Sequence, residues 1–288
     1  MAPGFSIANS VHQQGIPQLV DSVQHLLNKE NQVDSRGANL QHNPADFLKE
    51  IHDGRIPPHV REEAVLTVLQ FAVQTDCLDQ TVLQAVHLAD NYMRANGTIQ
   101  PAFVRIISAV ALEISIKLNE QMILQLEDVA KLFEDRFSVQ MLAQLEKHIL
   151  QLNNFRVNVA TPLDFCLHFA FLEKQALETS PFVLSPEELV NMALPLLHYA
   201  VSQYDICRKK YSSIAAAAIC HVLQEVHDEM ESENQGDGPK SSSGSVCQMQ
   251  ICRDQFLASL MSKFPGQFDL DEIYEILRLF KAPFIKVA

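Results

Sequence analysis

Two stretches of this chain are apolar almost all the way round a helix, and each dictates a bundle around itself. The first, FVRIISAVALEISI (Phe103 to Ile116), shows no polar face until Glu113 and Lys117. The second, SSIAAAAI (Ser212 to Ile219), is small and apolar on every side. A helix without a polar face must be covered from all directions, so each stretch is the predicted centre of its own bundle. The alanines of the second allow its neighbours to approach closely.

The segments around these centres are amphipathic. In the first half, Val60, Ala64, Val65, Val68, Leu69 and Ala72 share one helix face. Asp79 is the expected cap of a second helix burying Val82, Leu83, Val86 and Met93, and Asn96-Gly97 turns the chain. Pro101 opens the central helix. A fourth helix covers Leu126 to Phe133, and a fifth starts at Ser138 and carries Met141, Leu142, Leu145, Ile149 and Leu150. The second half repeats the plan. Thr161-Pro162 caps a helix with Leu163, Phe165, Cys166 and Phe169, and Ser185-Pro186-Glu187-Glu188 is a capping box. Two more helices follow the second centre, at about 248–263 and 270–281, the last capped by Asp269. The predicted fold class is all-α, with two tandem five-helix bundles and a short helix before them from Ala45 to Ile51, ended by Arg55-Ile56-Pro57-Pro58. The domains expected are a mobile polar extension over 1–43, a first bundle over 44–157 and a second over 158–288. The extension has one amphipathic piece, Leu19 to Leu27, and the second bundle carries a polar insertion at about 229–245.

Composition narrows the function. A chain of 288 residues with 47% hydrophobic and 20% charged residues can bury two sizeable cores. Its formal net charge of −13 disfavours nucleic acid, which is held by clustered cations. The only compact basic run is Arg208-Lys209-Lys210, so a protein partner offering a basic surface is the better expectation. No apolar run is long enough for a membrane span, and the start MAPGFSIANSVHQQG has no basic-then-apolar pattern of a secretory signal, so neither is expected. The six cysteines are scattered through apolar patterns and read as reduced thiols. His221 and His227 do not lie on one helix face, no third ligand follows Glu225, and Cys247 and Cys252 have no companion pair, so no metal site is predicted. Walker loop, dinucleotide fingerprint and nucleophile elbow are all missing, and neither an enzyme activity nor a cofactor is expected.

Against this frame, residues 60–155 resemble the cyclin box, and the second half resembles the second box of A- and B-type cyclins. The phrase IKLNE (Ile116 to Glu120) is similar to the family's alanine-serine-lysine-tyrosine-glutamate signature. QLEKHILQLNNFRVNVATPLDF (Gln144 to Phe165) is similar to the stretch that closes one box and opens the next. Arg61, Asp90, Lys117 and Glu146 match four marker positions of the box, and Ile106 stands where the family prefers leucine. The resemblance implies that Arg61 and Asp90 are a structural pair tying two helices, and that Lys117 and Glu146 contact a kinase. It implies a regulatory subunit that binds and activates a cyclin-dependent protein kinase catalytic subunit in cell-cycle control, in nucleus or cytoplasm. The alternative is a cyclin-fold scaffold or transcription-factor-like adaptor without kinase activation. Lys29-Glu30-Asn31 spells a degron read by the ubiquitin ligase of mitotic exit. Two departures stand out. The family's substrate-docking run is here Val60-Arg61-Glu62-Glu63-Ala64 with Thr67 at the place of a tryptophan, so Glu62, Glu63 and Thr67 are expected to bring polarity into that groove. Asn119 replaces a glutamate beside Lys117.

Overall fold

The computed structural model describes residues 11, 14–31, 56–96, 99–174, 184–233 and 245–280. The expected helix from Ala45 to Ile51 lies outside them. The described residues are helical, with no strand among them. They form α1 (Ile16–Glu30), α2 (Pro58–Thr75), α3 (Asp79–Ala95), α4 (Val104–Asn119), α5 (Leu126–Leu132) and α6 (Val139–Leu152). There follow α7 (Pro162–Leu172), α8 (Pro186–Ser202), the single turn α9 (Tyr204–Cys207), α10 (Tyr211–Glu233), α11 (Ser245–Lys263) and α12 (Leu270–Phe280).

The chain divides into two compact units. The first holds residues 29–163 and 198–210, and the second holds 7–28, 164–197 and the chain from 211 onward. These units do not follow the expected boundary at 157. Segment 198–210 belongs with the first unit because α2 captures it by hydrogen bonds, as shown below.

In the first unit α4 packs against α2, α3, α5 and α6, which makes it the centre that its apolar sequence demanded. Val104, Ile106, Ile107, Val110, Ala111, Leu112, Ile114 and Ile116 are all buried. Fully burying such a side chain contributes roughly 1.5–3 kcal/mol, so α4 anchors the unit. A 3₁₀ turn, Pro101–Phe103, precedes it, so Pro101 opens that turn rather than the α-helix. Ser138 caps α6 as expected, accepting from the Met141 N–H at 3.3 Å. Asp79 does not cap α3. Leu78 occupies the cap, and its N–H is satisfied from outside by the Glu120 carboxylate at 2.8 Å.

In the second unit α10 packs against α11 and α12, and residues 211–222 of α10 are buried. The capping box at α8 is formed: Ser185 Oγ accepts the Glu188 N–H at 3.2 Å, and Glu188 accepts the Ser185 N–H at 2.8 Å. Asp269 Oδ1 caps α12 through the N–H groups of Asp271 and Glu272. Phe165, Phe169, Phe264 and Phe268 form an edge-to-face and tilted aromatic chain with centroids 5.8–6.3 Å apart. Two expectations change here. Residues 16–30 are helical and bury Leu19, Val23, Leu26 and Leu27, so this part of the supposed mobile extension is ordered by its apolar face. The α10 helix runs to Glu233, through the start of the expected polar insertion.

Candidate partner-binding site

The backbone of α4 is enclosed as far as Ile116 and then emerges, with Lys117, Leu118 and Asn119 exposed. Lys117 Nζ lies 2.8 Å from Glu146 Oε1 on α6, so the fold brings together two residues 29 apart in sequence. The same ammonium contacts Glu113 one turn earlier on α4. Exposure is graded across the cluster: 38% for the Lys117 side chain, 21% for Glu146 and 0% for Glu113. Burial lifts the Glu113 carboxyl to about 7, against the pull of Lys117. Burial alone would lower the Lys117 ammonium, but its hydrogen bonds to Glu113 and Glu146 outweigh this and leave it raised. A lysine has three N–H donors. Two carboxylates engage this one, and its exposed side leaves room for a further acceptor.

The emerging end of α4 is fixed by two residues whose roles the sequence did not disclose. Glu120 Oε1 accepts the Leu78 N–H and the Thr81 hydroxyl, at 2.8 and 2.6 Å. Asn119 donates to the Gln84 side chain, which in turn donates to the Val157 carbonyl. Asn119 therefore ties α4 to α3 and the chain after α6. Leu118 and Ile123, at and just after the end of α4, are 50% and 69% exposed, and Phe155 after α6 is 66% exposed.

Arg61 and Asp90 behave otherwise. Arg61 on α2 is fully buried and makes a bidentate pair with Asp90 on α3, Nε to Oδ1 at 2.9 Å and a terminal nitrogen to Oδ2 at 2.7 Å. Its remaining donors reach the carbonyls of Val201 and Ser202, at 2.9 and 3.3 Å. Those carbonyls are orphans of the α8 C-terminus. The next residue of α2, Glu62, accepts the Tyr204 N–H at 2.9 Å, holding the start of α9. Asp79 meets His198 at 3.0 Å. Arg61 and Asp90 thus join α2 to α3, and Arg61 also binds segment 198–210.

Glu62 therefore does not bring charge into the expected docking groove. The cavity there, about 460 Å³ between α2, α4 and α5, has both apolar lining, such as Ala64, Phe71 and Leu112, and polar lining from Thr67, Gln70, Gln74, Arg105, Glu134 and Arg136. Neither Glu62 nor Glu63 lines it. The Thr67 hydroxyl donates to its own helix at the Glu63 carbonyl, 2.8 Å away, so its polarity is satisfied locally.

Lys29 and Glu30 close α1, and Asn31 begins the turn after it. Glu30 is 3% exposed. Lys29 is half-buried and Asn31 exposed. His221 lies 3.6 Å from Glu225 on consecutive turns of α10, and the side chains of His227, Cys247 and Cys252 fall outside the described residues. Cys77 is half-buried, while Cys166, Cys207 and Cys220 are buried free thiols. Burial pushes Cys166 and Cys207 up to about 12, which makes them unreactive. Among the described residues no helix is long and apolar enough to cross a membrane.

Residues 21–158 match the family described as Cyclin, N-terminal domain. The chain is 22% identical over 187 residues to Cyclin-B1-5 of Oryza sativa subsp. japonica, covering 64% of this chain and 38% of that protein. It is 24% identical over 144 residues to G2/mitotic-specific cyclin-B3 of Gallus gallus, covering 50% of this chain and 33% of that one. The match thus spans well under half the length of these relatives. The solved viral cyclin from herpesvirus saimiri shares the fold, with a TM-score of 0.50 and 15% identity, over 78% of this chain and 89% of that one. Residues 21–158 thus resemble the cyclin N-terminal domain, in a form divergent from these relatives.

Proposed function

We propose that this protein is a non-enzymatic regulatory subunit that binds and activates a cyclin-dependent protein kinase during cell division, in the nucleus or cytoplasm. The observation that carries the reading is the Lys117–Glu146 pair, held at 2.8 Å where α4 emerges next to the half-exposed Leu118. A kinase is active when its β3 lysine pairs with the αC glutamate and its activation loop is ordered. A subunit that binds only the arrangement with αC inward shifts the kinase toward it. Apolar contact supplies the affinity in such an interface. Lys117 and Glu146 supply orientation through backbone groups next to αC. The chemistry belongs to the kinase, and no residue of this chain is assigned a catalytic role.

The test is kinase activity after mixing the purified chain with an inactive cyclin-dependent kinase catalytic subunit. Wild type is compared with Lys117→Ala and Glu146→Ala, once circular dichroism shows each variant folded. Activation by wild type, reduced about tenfold or more in both variants, is the expected result. Binding without activation would favour a cyclin-fold scaffold or adaptor. That second reading draws on Lys117 already being engaged by two carboxylates of its own chain.

A further inference from the structure

The cluster at the end of α4 contains one group that the kinase-binding reading does not use. Glu113 exposes none of its side chain, yet an ionised carboxylate is costly to bury unless it is paired. Its partner is Lys117, one turn further along the same helix. The other carboxylate on that ammonium, Glu146, comes from α6 and is partly exposed. Lys117 is therefore held on its inner side by a group locked in the packed core of α4. On its outer side it meets a group that solvent or a partner can reach.

We propose that Glu113 is a positioning residue, whose buried carboxylate pins the Lys117 ammonium at the rim so that the Glu146 contact is the one remodelled when a kinase docks. The proposal rests on the kinase-binding reading of Lys117 and Glu146. A free lysine side chain must lose rotamer freedom on binding, and a pinned one has lost it already. The pin also has a charge state that changes near neutral pH, since burial lifts the Glu113 carboxyl to about 7. The charged groups that bear on it are Lys117 from its own helix and Glu146 from α6. Arg61 and Asp90, the charged pair between α2 and α3, engage each other and the α8 carbonyls instead. Above neutrality the pin is a charge-assisted bond, and below it a weaker bond to a neutral carboxyl.

The test uses the full chain with Glu113→Gln, which keeps size and shape, and Glu113→Met as a second variant in case the first misfolds. The primary readout is the NMR signal of the Lys117 ammonium and its neighbouring carbon. In wild type the ammonium is expected to exchange slowly and to titrate above the usual lysine range, and in either variant to return toward ordinary values. The second readout is affinity for the kinase catalytic subunit. Glu113→Gln is expected to weaken binding about tenfold at pH 8, the loss of one charge-assisted bond. Wild-type affinity should fall by a similar factor from pH 8 to pH 6, while that of the variant stays level. In the presence of Lys117→Ala, Glu113→Gln should change nothing further. An unchanged Lys117 signal in folded variants would overturn the proposal, as would an equal affinity loss with and without Lys117→Ala. If wild type binds no such kinase, the functional reading fails, and the Lys117 signal still decides whether Glu113 is the pin.

Discussion

Arg61–Asp90 and Lys117–Glu146 are ion pairs with the same sequence separation, 29 residues, in the same compact unit, and they sit at opposite depths. Each joins neighbouring helices of the first bundle, α2 to α3 and α4 to α6. The difference is burial and what else each cation touches. Arg61 is enclosed, bidentate on Asp90, and holds two backbone carbonyls as well. Lys117 is 38% exposed, monodentate on each carboxylate, and open to solvent on one side. A planar guanidinium with fixed donors suits the first task, and a flexible ammonium suits the second. Equal spacing in sequence therefore says nothing of the depth at which a pair sits.

The largest expected effect breaks the buried pair. Arg61→Ala leaves Asp90 uncompensated in the core and strands the carbonyls of Val201 and Ser202. The expected cost is about 3–5 kcal/mol of stability, read by denaturant unfolding of the full chain. An apolar double replacement, Arg61→Met with Asp90→Leu, should recover only part of that loss. It removes the unpaired charge but cannot restore the donors to the α8 carbonyls. Full recovery would mean that those two carbonyl bonds contribute little, and that segment 198–210 is held by Glu62 and His198 instead.

The next effect concerns the carboxylate between the two regimes. Glu113 is as buried as Arg61 but belongs to the Lys117 cluster. Its carboxyl is raised from 4.5 to about 7 in the folded chain. Below pH 4.5 it is neutral in both folded and unfolded chains. Between 4.5 and 7 only the unfolded chain ionises, so Glu113 lowers stability as pH rises, and the loss is complete above 7. Glu113→Gln should therefore gain on wild type by on the order of 2 kcal/mol between pH 5 and pH 8, read as a widening gap in unfolding midpoint. A gap that is constant with pH would show that Glu113 ionises normally in the folded chain.

Much of this was legible in the sequence. The two enclosed helices, the Ser138 cap and the Ser185-to-Glu188 capping box follow from local pattern, because period and capping chemistry act over a few residues. The four marker residues were legible as pairs. Their depth was not, because burial is decided by helices distant in sequence. The same reason hid Glu62 behind a run that looked like groove lining, when its carboxylate meets Tyr204, 142 residues away. Asp79 looked like a cap, and the cap of α3 is supplied by Glu120 from 42 residues on. Asn119, read only as a replacement of the glutamate beside Lys117, ties α4 to Gln84. Glu113 had one available signal, a lone carboxylate in the apolar run of α4 one turn before Lys117.

The smallest expected effect is the sharpest check on the comparison. Glu146→Ala removes the outer half of the exposed pair and leaves Lys117 on Glu113. Its cost to stability should stay within about 1 kcal/mol, because a partly exposed pair gains little over its solvated charges. Salt should separate the two pairs further. At about 1 M ionic strength the screening length falls to roughly 3 Å, which weakens the Lys117–Glu146 attraction but hardly reaches Arg61 and Asp90. The stability difference between wild type and Glu146→Ala should thus vanish in high salt, while that between wild type and Arg61→Ala persists. If Glu146→Ala instead destabilised the fold as much as Arg61→Ala, the rim pair would be a structural tie as well. The Lys117–Glu146 contact would then be too costly to open for a partner, and the interface would have to rest on the exposed apolar side chains alone.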